Sequence, residues 1–175
     1  MIRKATYEDI PALMEIFRQA RGIMRASGNM NQWNDSYPSE EIIRQDIASG
    51  VCHVLCEDTA PGCTDGRIIA TMAFIPGPDP TYSVIYDGEW PDDSPYHVIH
   101  RIAVKYHGRG IVDFCFNECF KLFPSIKIDT HRDNIPMQKV LKRNGFVRCG
   151  IIYLENGDER FGYEKLMSRP YEKLR

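Results

Sequence analysis

Lys105, His107 and Arg109 surround Gly108 and Gly110 in the stretch HRIAVKYHGRGIVDFCFNECF, residues 100 to 120. Basic side chains beside paired glycines suit the binding of an anion. The β-branched run before the turn predicts a strand, and the apolar period after it predicts a helix. Glycine lets the backbone approach a ligand closely and take a positive φ. The free N–H groups of a first helical turn point outward at the positive end of the helix dipole. Strand, glycine turn and helix in that order form a phosphate cradle. Two familiar glycine loops do not fit. A dinucleotide fingerprint needs a third glycine where Asp113 stands, and a P-loop needs Gly-Lys-Ser/Thr where this chain has Ile111-Val112. A short pyrophosphate turn remains, and an ordinary strand-to-helix turn with glycines serving geometry alone accounts for the same pattern.

The elements that must hold this turn follow from periodicity. Residues 2 to 6 form a short strand, and Thr6 followed by Asp9 has the spacing of a capping box, with Pro11 tolerated in the first helical turn. Ile10, Leu13, Met14, Phe17, Ala20 and Met24 keep three-and-four spacing, so one stripe of this helix faces a core while Glu15, Arg18 and Arg21 face away. From Ser27 to Tyr37 the period vanishes around Met30, Trp33 and Tyr37. The segment is either a loop pinned to the core by one tryptophan or the wall of a site. A second helix opens at Pro38-Ser39, runs through Ile42, Ile43 and Ile47, and stops at Gly50. Residues 51 to 58 and 67 to 75 read as an antiparallel hairpin across a turn at Ala60 to Gly66.

Pro76 to Pro95 is an irregular insertion with Tyr82, Tyr86 and Trp90, and with the acids Asp87, Glu89, Asp92 and Asp93, which suit a cationic ligand or plain solvation. After the central strand and helix, 126 to 130 is a strand, and Asn134 with Pro136 starts a helix ending at Asn144-Gly145. Residues 147 to 154 and 160 to 166 form a closing hairpin across Asn156-Gly157. Mixed short strands and helices predict one α/β domain spanning residues 1 to 175.

Composition bounds the function. A content of 43% hydrophobic and 26% charged residues is that of a globular chain, and no apolar run approaches the roughly 18 residues a membrane span needs. The start, MIRKATYEDI, lacks the apolar segment of a secretory signal, so a cytoplasmic location is expected. Six cysteines then read as free thiols; Cys52 with Cys56 and Cys115 with Cys119 share faces of their elements as small buried hydrophobes do. No Cys-x-x-Cys or paired His spacing points to a metal. A net charge of −2 without a basic run gives no general affinity for nucleic acid.

The order strand, two helices, three strands, helix, strand, helix, two strands, with the glycine turn after the fourth strand, resembles the GNAT superfamily of acetyl-CoA-dependent N-acetyltransferases. The resemblance covers essentially the full length and is carried by Ile2 to Asp9, His100 to Val112, Asn134 and Asn144-Gly145-Phe146. The superfamily's turn reads Gln or Arg, two residues, Gly, one residue, then Gly or Ala. Lys105 to Gly110 has lysine first, and His107 to Val112 has histidine first and valine last. The resemblance implies a central mixed, mostly antiparallel, twisted sheet (α+β) flanked by helices. It also implies acetyl-CoA as cosubstrate and a small-molecule amine or a peptide as acceptor, with the chain acting as a monomer or homodimer. By the same resemblance the amides of His107, Gly108, Arg109, Gly110, Ile111 and Val112 hold the pyrophosphate. The backbone of Ile102, Ala103 and Val104 pairs with the pantetheine arm, and Asn134 hydrogen-bonds it.

At neutral pH only about one primary alkylamine in a thousand is unprotonated, so a base must act. His100, on the strand leading to the cosubstrate, is the first candidate and Glu89 the second; a core histidine and a solvated carboxylate are the plain alternatives. Many relatives protonate the leaving thiolate with a tyrosine four residues before the glycine of the Gly-Phe pair, where this chain has Leu141; Tyr153 and His131 are the substitutes available. Trp33, Tyr37, Tyr82 and Trp90 are expected to line the acceptor side. The absent tyrosine leaves open a noncatalytic acyl-CoA-binding sensor, and a bare structural turn leaves open a protein-interaction domain.

Overall fold

β-Branched and small apolar residues crowd residues 52–56, 68–76 and 97–104. In the computed structural model, which describes residues 1–57 and 66–167, these segments form the middle of a seven-stranded sheet. The strands are β1 (Ile2–Lys4), β2 (Cys52–Cys56), β3 (Ile68–Pro76), β4 (His97–Val104), β5 (Ser125–Thr130), β6 (Val147–Tyr153) and β7 (Glu159–Leu166). Helices α1 (Ile10–Ala26) and α2 (Glu40–Ala48) follow β1, α3 (Ile111–Leu122) follows β4, and α4 (Ile135–Arg143) follows β5. The spatial order is β1-β2-β3-β4-β5-β7-β6, antiparallel at every step except β4 with β5. The sheet is therefore mixed and mostly antiparallel, as expected. The turn expected between β2 and β3 lies, up to residue 65, outside the described residues, and so does Cys63.

Local signals start and stop these elements. The Thr6 N–H donates to Asp9 Oδ2 at 2.8 Å, closing half of the capping box ahead of α1. Ser39 Oγ accepts from the Ile42 N–H at the start of α2, and Asn134 Oδ1 accepts from the Met137 N–H at the start of α4. Leu13, Ile16 and Phe17 of α1, with Ile43 of α2, cover one face of the sheet over Val54 and Ala103. On the other face Ile99, Ile126 and Ile128 pack under Cys115, Phe116 and Cys119 of α3 and Leu141 of α4. The five described cysteines are buried free thiols, and burial pushes those of Cys115 and Cys119 up to about 12.

Two irregularities interrupt this regular frame. Strand β4 pairs with β5 only through His97 with Ile126 and Val98 with Lys127, so past Val98 the β5-facing edge of β4 has no partner strand among the described residues. Between β3 and β4, Ala73 faces His100 and Thr71 faces Ala103. β4 thus carries one residue more than β3 across this step, a β-bulge, and Arg101 inside it has a φ of 54°.

Candidate active site

Where β4 leaves β5 the sheet opens into a cleft of about 390 Å³. His100, Arg101 and Ile102 of the bulge form one wall and Ile128, Asp129 and Thr130 of β5 the other. Trp33 and Tyr37 close one side, and Asn134 and Met137 at the start of α4 another. A parallel strand pair that separates after two rungs leaves peptide groups of β4 on offer to an extended ligand.

The glycine turn follows directly. His107, Gly108, Arg109 and Gly110 are exposed, and the two glycines have φ of 73° and 69°. Gly110 is the N-cap of the 12-residue α3, which aims the unpaired amides of Ile111 and Val112 outward. A Cβ at Gly108 would meet nothing within 4 Å, and one at Gly110 only Asp113 Oδ2 at 3.6 Å, so the turn has room for a phosphate close to its backbone. The Arg109 guanidinium rests over the Tyr106 ring at 4.7 Å, beside this space. Asp113, in the first turn of α3, is held by Arg143 and Asn144. Burial raises its carboxyl, but these hydrogen bonds outweigh burial and hold it below its ordinary value.

His100 stands between two carboxylates. Its Nε2 lies 2.8 Å from Asp79 Oδ2 and its Nδ1 3.8 Å from Asp129 Oδ2. Asp79 reaches the site from the irregular insertion because an Asx turn fixes it, its Oδ1 accepting from the N–H and hydroxyl of Thr81. Burial raises the Asp79 carboxyl, but the hydrogen bonds from His100 and Thr81 prevail and bring it to about 2. The buried Tyr82 hydroxyl donates to Asp129 Oδ2 at 2.7 Å; burial and the Asp129 charge push that phenol well above its usual range. Arg160, almost fully buried, balances the acids at 3.9 Å from Asp129 and 3.7 Å from Asp158.

One glutamine ties the loop between α1 and α2 to the far wall. Gln32 Oε1 accepts from Asn29 Nδ2 at 2.9 Å and Asn134 Nδ2 at 2.8 Å, with Thr130 Oγ1 at 3.4 Å. Both ends of the Asn134 side chain are thus engaged within the chain. Trp33 fills both roles open to it, packing edge-on against Phe17 at 5.8 Å while lining the cleft beside Tyr37.

Of the residues expected at the site, Trp33, Tyr37, His100, Ile102 and Asn134 meet at the cleft. Ala103 and Val104 continue β4 with buried side chains. Tyr82 and Trp90 pack in a small cluster with Val98 and Ile152, so they stand behind the wall, and Tyr82 meets the cleft residues Asp129, by its hydroxyl, and His100, ring against ring at 6.0 Å. Glu89 is exposed on the insertion, outside the wall. Tyr153 sits 46% exposed on the edge strand β6 against Tyr86, and His131 is turned onto the Asp133 N–H at 3.1 Å. Burial and Arg160 lower the His131 pKa. Leu141 is wholly buried in the main core. Asp79, Asp129, Gln32 and Arg160 escaped the sequence reading. The Asp79-Pro-Thr81 turn and the single acid of β5 are the signals that could have found two of them.

No family model matches the chain, and no curated protein matches it. Among solved structures, the chain is 30% identical to an acetyltransferase of the GNAT family from Streptococcus agalactiae, covering 97% of this chain and 96% of that one with a TM-score of 0.84. A GNAT-family acetyltransferase from Listeria monocytogenes shares the fold at 20% identity, 95% and 94% coverage and a TM-score of 0.68. So does a chain of the NatC complex bound to Gag peptide and CoA, at 14% identity, 96% and 98% coverage and a TM-score of 0.60.

Proposed function

The chain belongs to the GNAT family of acetyltransferases, and from that premise we propose that it moves the acetyl group of acetyl-CoA onto a primary amine of a small molecule or peptide. One observation carries the reading: β4 parts from β5 past Val98, beside a bulge at Arg101, and opens onto a cleft of about 390 Å³. Acetyl-CoA supplies an activated thioester when bound.

The chain's own residues supply grip, aim and proton transfer. Amides of residues 107–112 receive the pyrophosphate at the positive end of α3, helped by Arg109. The backbone of Ile102 to Val104 takes the extended arm as a further strand in the gap that β5 leaves. Asp79, ionised throughout the neutral range, accepts from Nε2–H of His100 and so leaves the Nδ1 lone pair toward Asp129. An ammonium group beside that edge donates to both Nδ1 and Asp129 Oδ2. Transfer of one proton to Nδ1 frees the attacking lone pair; as the carbon–nitrogen bond forms the carbon–sulfur bond breaks, and the departing thiolate takes its proton from solvent. Backbone N–H groups at the bulge meet the negative charge that gathers on the thioester oxygen.

Leu141 in place of a tyrosine favours one second reading, a module that binds acyl-CoA without transferring it. A panel of small amines and peptides incubated with acetyl-CoA separates the two. Transfer predicts release of free thiol that depends on the acceptor, together with an acceptor heavier by one acetyl group. Calorimetric binding of acetyl-CoA with no thiol release from any amine selects the sensor, and no binding at all removes both readings.

A further inference from the structure

Arg101 and Asp87 are the non-glycine residues of the described chain with φ in the left-handed region, and only Arg101 lies inside a strand. A residue with a β-carbon resists that conformation. Its side chain is gripped from a distance. Nε and Nη2 donate to Asp46 Oδ2 and Oδ1 at 2.8 Å each, and Nη1 reaches the Tyr37 hydroxyl at 3.4 Å. Asp46 sits on α2, which Ile43 anchors in the core and Ser39 caps. The two side chains are only 13% and 11% exposed. A planar guanidinium held on two prongs is fixed in direction as well as position.

We propose that Asp46 is a positioning residue: by clamping Arg101 it holds the left-handed turn of β4 that aims the following N–H groups into the cleft. The inference rests on the acetyl-transfer reading, because the aim matters only if a thioester lies there. Asp46 itself is not part of the cleft wall. A single left-handed residue rotates the next peptide relative to the one before, and regular pairing resumes at Ala103 with Thr71, so the re-aimed stretch is confined to Arg101 and Ile102. An ion pair that merely fastened α2 to the sheet would make no use of the backbone angle.

Glycine separates these roles, since it adopts the same φ without a clamp. Asp46→Ala and Arg101→Ala are expected to lower kcat by about 10- to 100-fold, as small misplacements of catalytic groups do, with KM for acetyl-CoA nearly unchanged. Arg101→Gly recovers most of the turnover that Arg101→Ala loses, and removing Asp46 in the Arg101→Gly background has no further effect. Should Asp46→Ala not fold, Asp46→Asn keeps the packing and shows a smaller loss of the same kind. Equal loss in Arg101→Gly and Arg101→Ala overturns the proposal, as does wild-type kcat in Asp46→Ala. Crystal structures give a readout free of activity. Residue 101 leaves the left-handed region in Asp46→Ala and stays there in Asp46→Ala/Arg101→Gly, and an unchanged angle in the single variant sinks the clamp. A wild-type chain that releases no thiol refutes the acetyl-transfer reading instead and leaves the angle comparison standing.

Discussion

Arg143 closes on Asp113 in a two-pronged ion pair, Nη2 to Oδ2 at 2.8 Å and Nε to Oδ1 at 3.1 Å, across 30 residues of chain. Asp113 occupies the first turn of α3, where its charge opposes any phosphate held by the glycine turn, and Arg143 offsets it. Arg143→Ala is expected to weaken acetyl-CoA binding by roughly 3- to 10-fold, the scale of one exposed charge at a helix terminus. Adding Asp113→Asn restores the affinity. Calorimetry at low and high salt checks this, because screening shrinks the loss.

Gly108 combines a φ of 73° with open space around it. Gly108→Val therefore strains the backbone by about 1–2 kcal/mol and fills the place of the phosphate, so the melting temperature falls by only a few degrees while acetyl-CoA affinity drops more than about tenfold. Thermal melts paired with titration test it. A variant that binds as tightly as wild type rules out the cradle.

His100→Ala removes the group that faces both Asp79 and Asp129. If it takes the amine proton, kcat at neutral pH falls by about 10²-fold or more, while the acetyl-CoA dissociation constant stays within a few-fold. Unchanged turnover would falsify the base assignment. A variant that loses binding and turnover together points to a structural histidine.

Asp79 titrates at about 2 instead of its ordinary 3.8. A carboxyl depressed by folding stabilises the fold above its unfolded value, and that contribution disappears as pH falls through the folded one. The melting-temperature gap between wild type and Asp79→Asn should be full at pH 5 to 7 and close between about pH 4 and pH 2. Calorimetric scans across acid pH measure it; a gap that widens with acid contradicts the assignment.

Gln32 holds the α1–α2 loop to Asn134 and leaves the buried Asn29 and Asn134 amides without a partner when removed. Gln32→Ala is expected to cost about 1–3 kcal/mol of stability, the scale of orphaned buried polar groups. It should also raise KM for the acceptor more than KM for acetyl-CoA, since the loop carries Trp33 and Tyr37 of the wall. Initial rates with each substrate varied in turn decide the point.

Most elements were legible in the sequence because their signals are local. The stripe of α1, the caps Ser39 and Asn134, and the glycine turn into α3 follow from neighbours within a few positions. The β2–β3 and β6–β7 hairpins formed as read. Ile16 faces the core more fully than the half-buried Met14, a small shift of the α1 stripe. The placing of β7 between β5 and β6 was not legible, since either strand of that hairpin satisfies the same alternation.

The sequence by itself determined which segments become strands and helices and where a glycine turn leads into α3, because periodicity and turn chemistry act over one or two turns of chain. Only the tertiary structure decided which acid reaches His100. The Asp79 contact spans 21 positions, the Arg101 to Asp46 clamp 55 and the Gln32 to Asn134 bond 102. Such partners are chosen by where the sheet parts and the loops cross it. That depends on packing over the whole chain, and no local pattern encodes it.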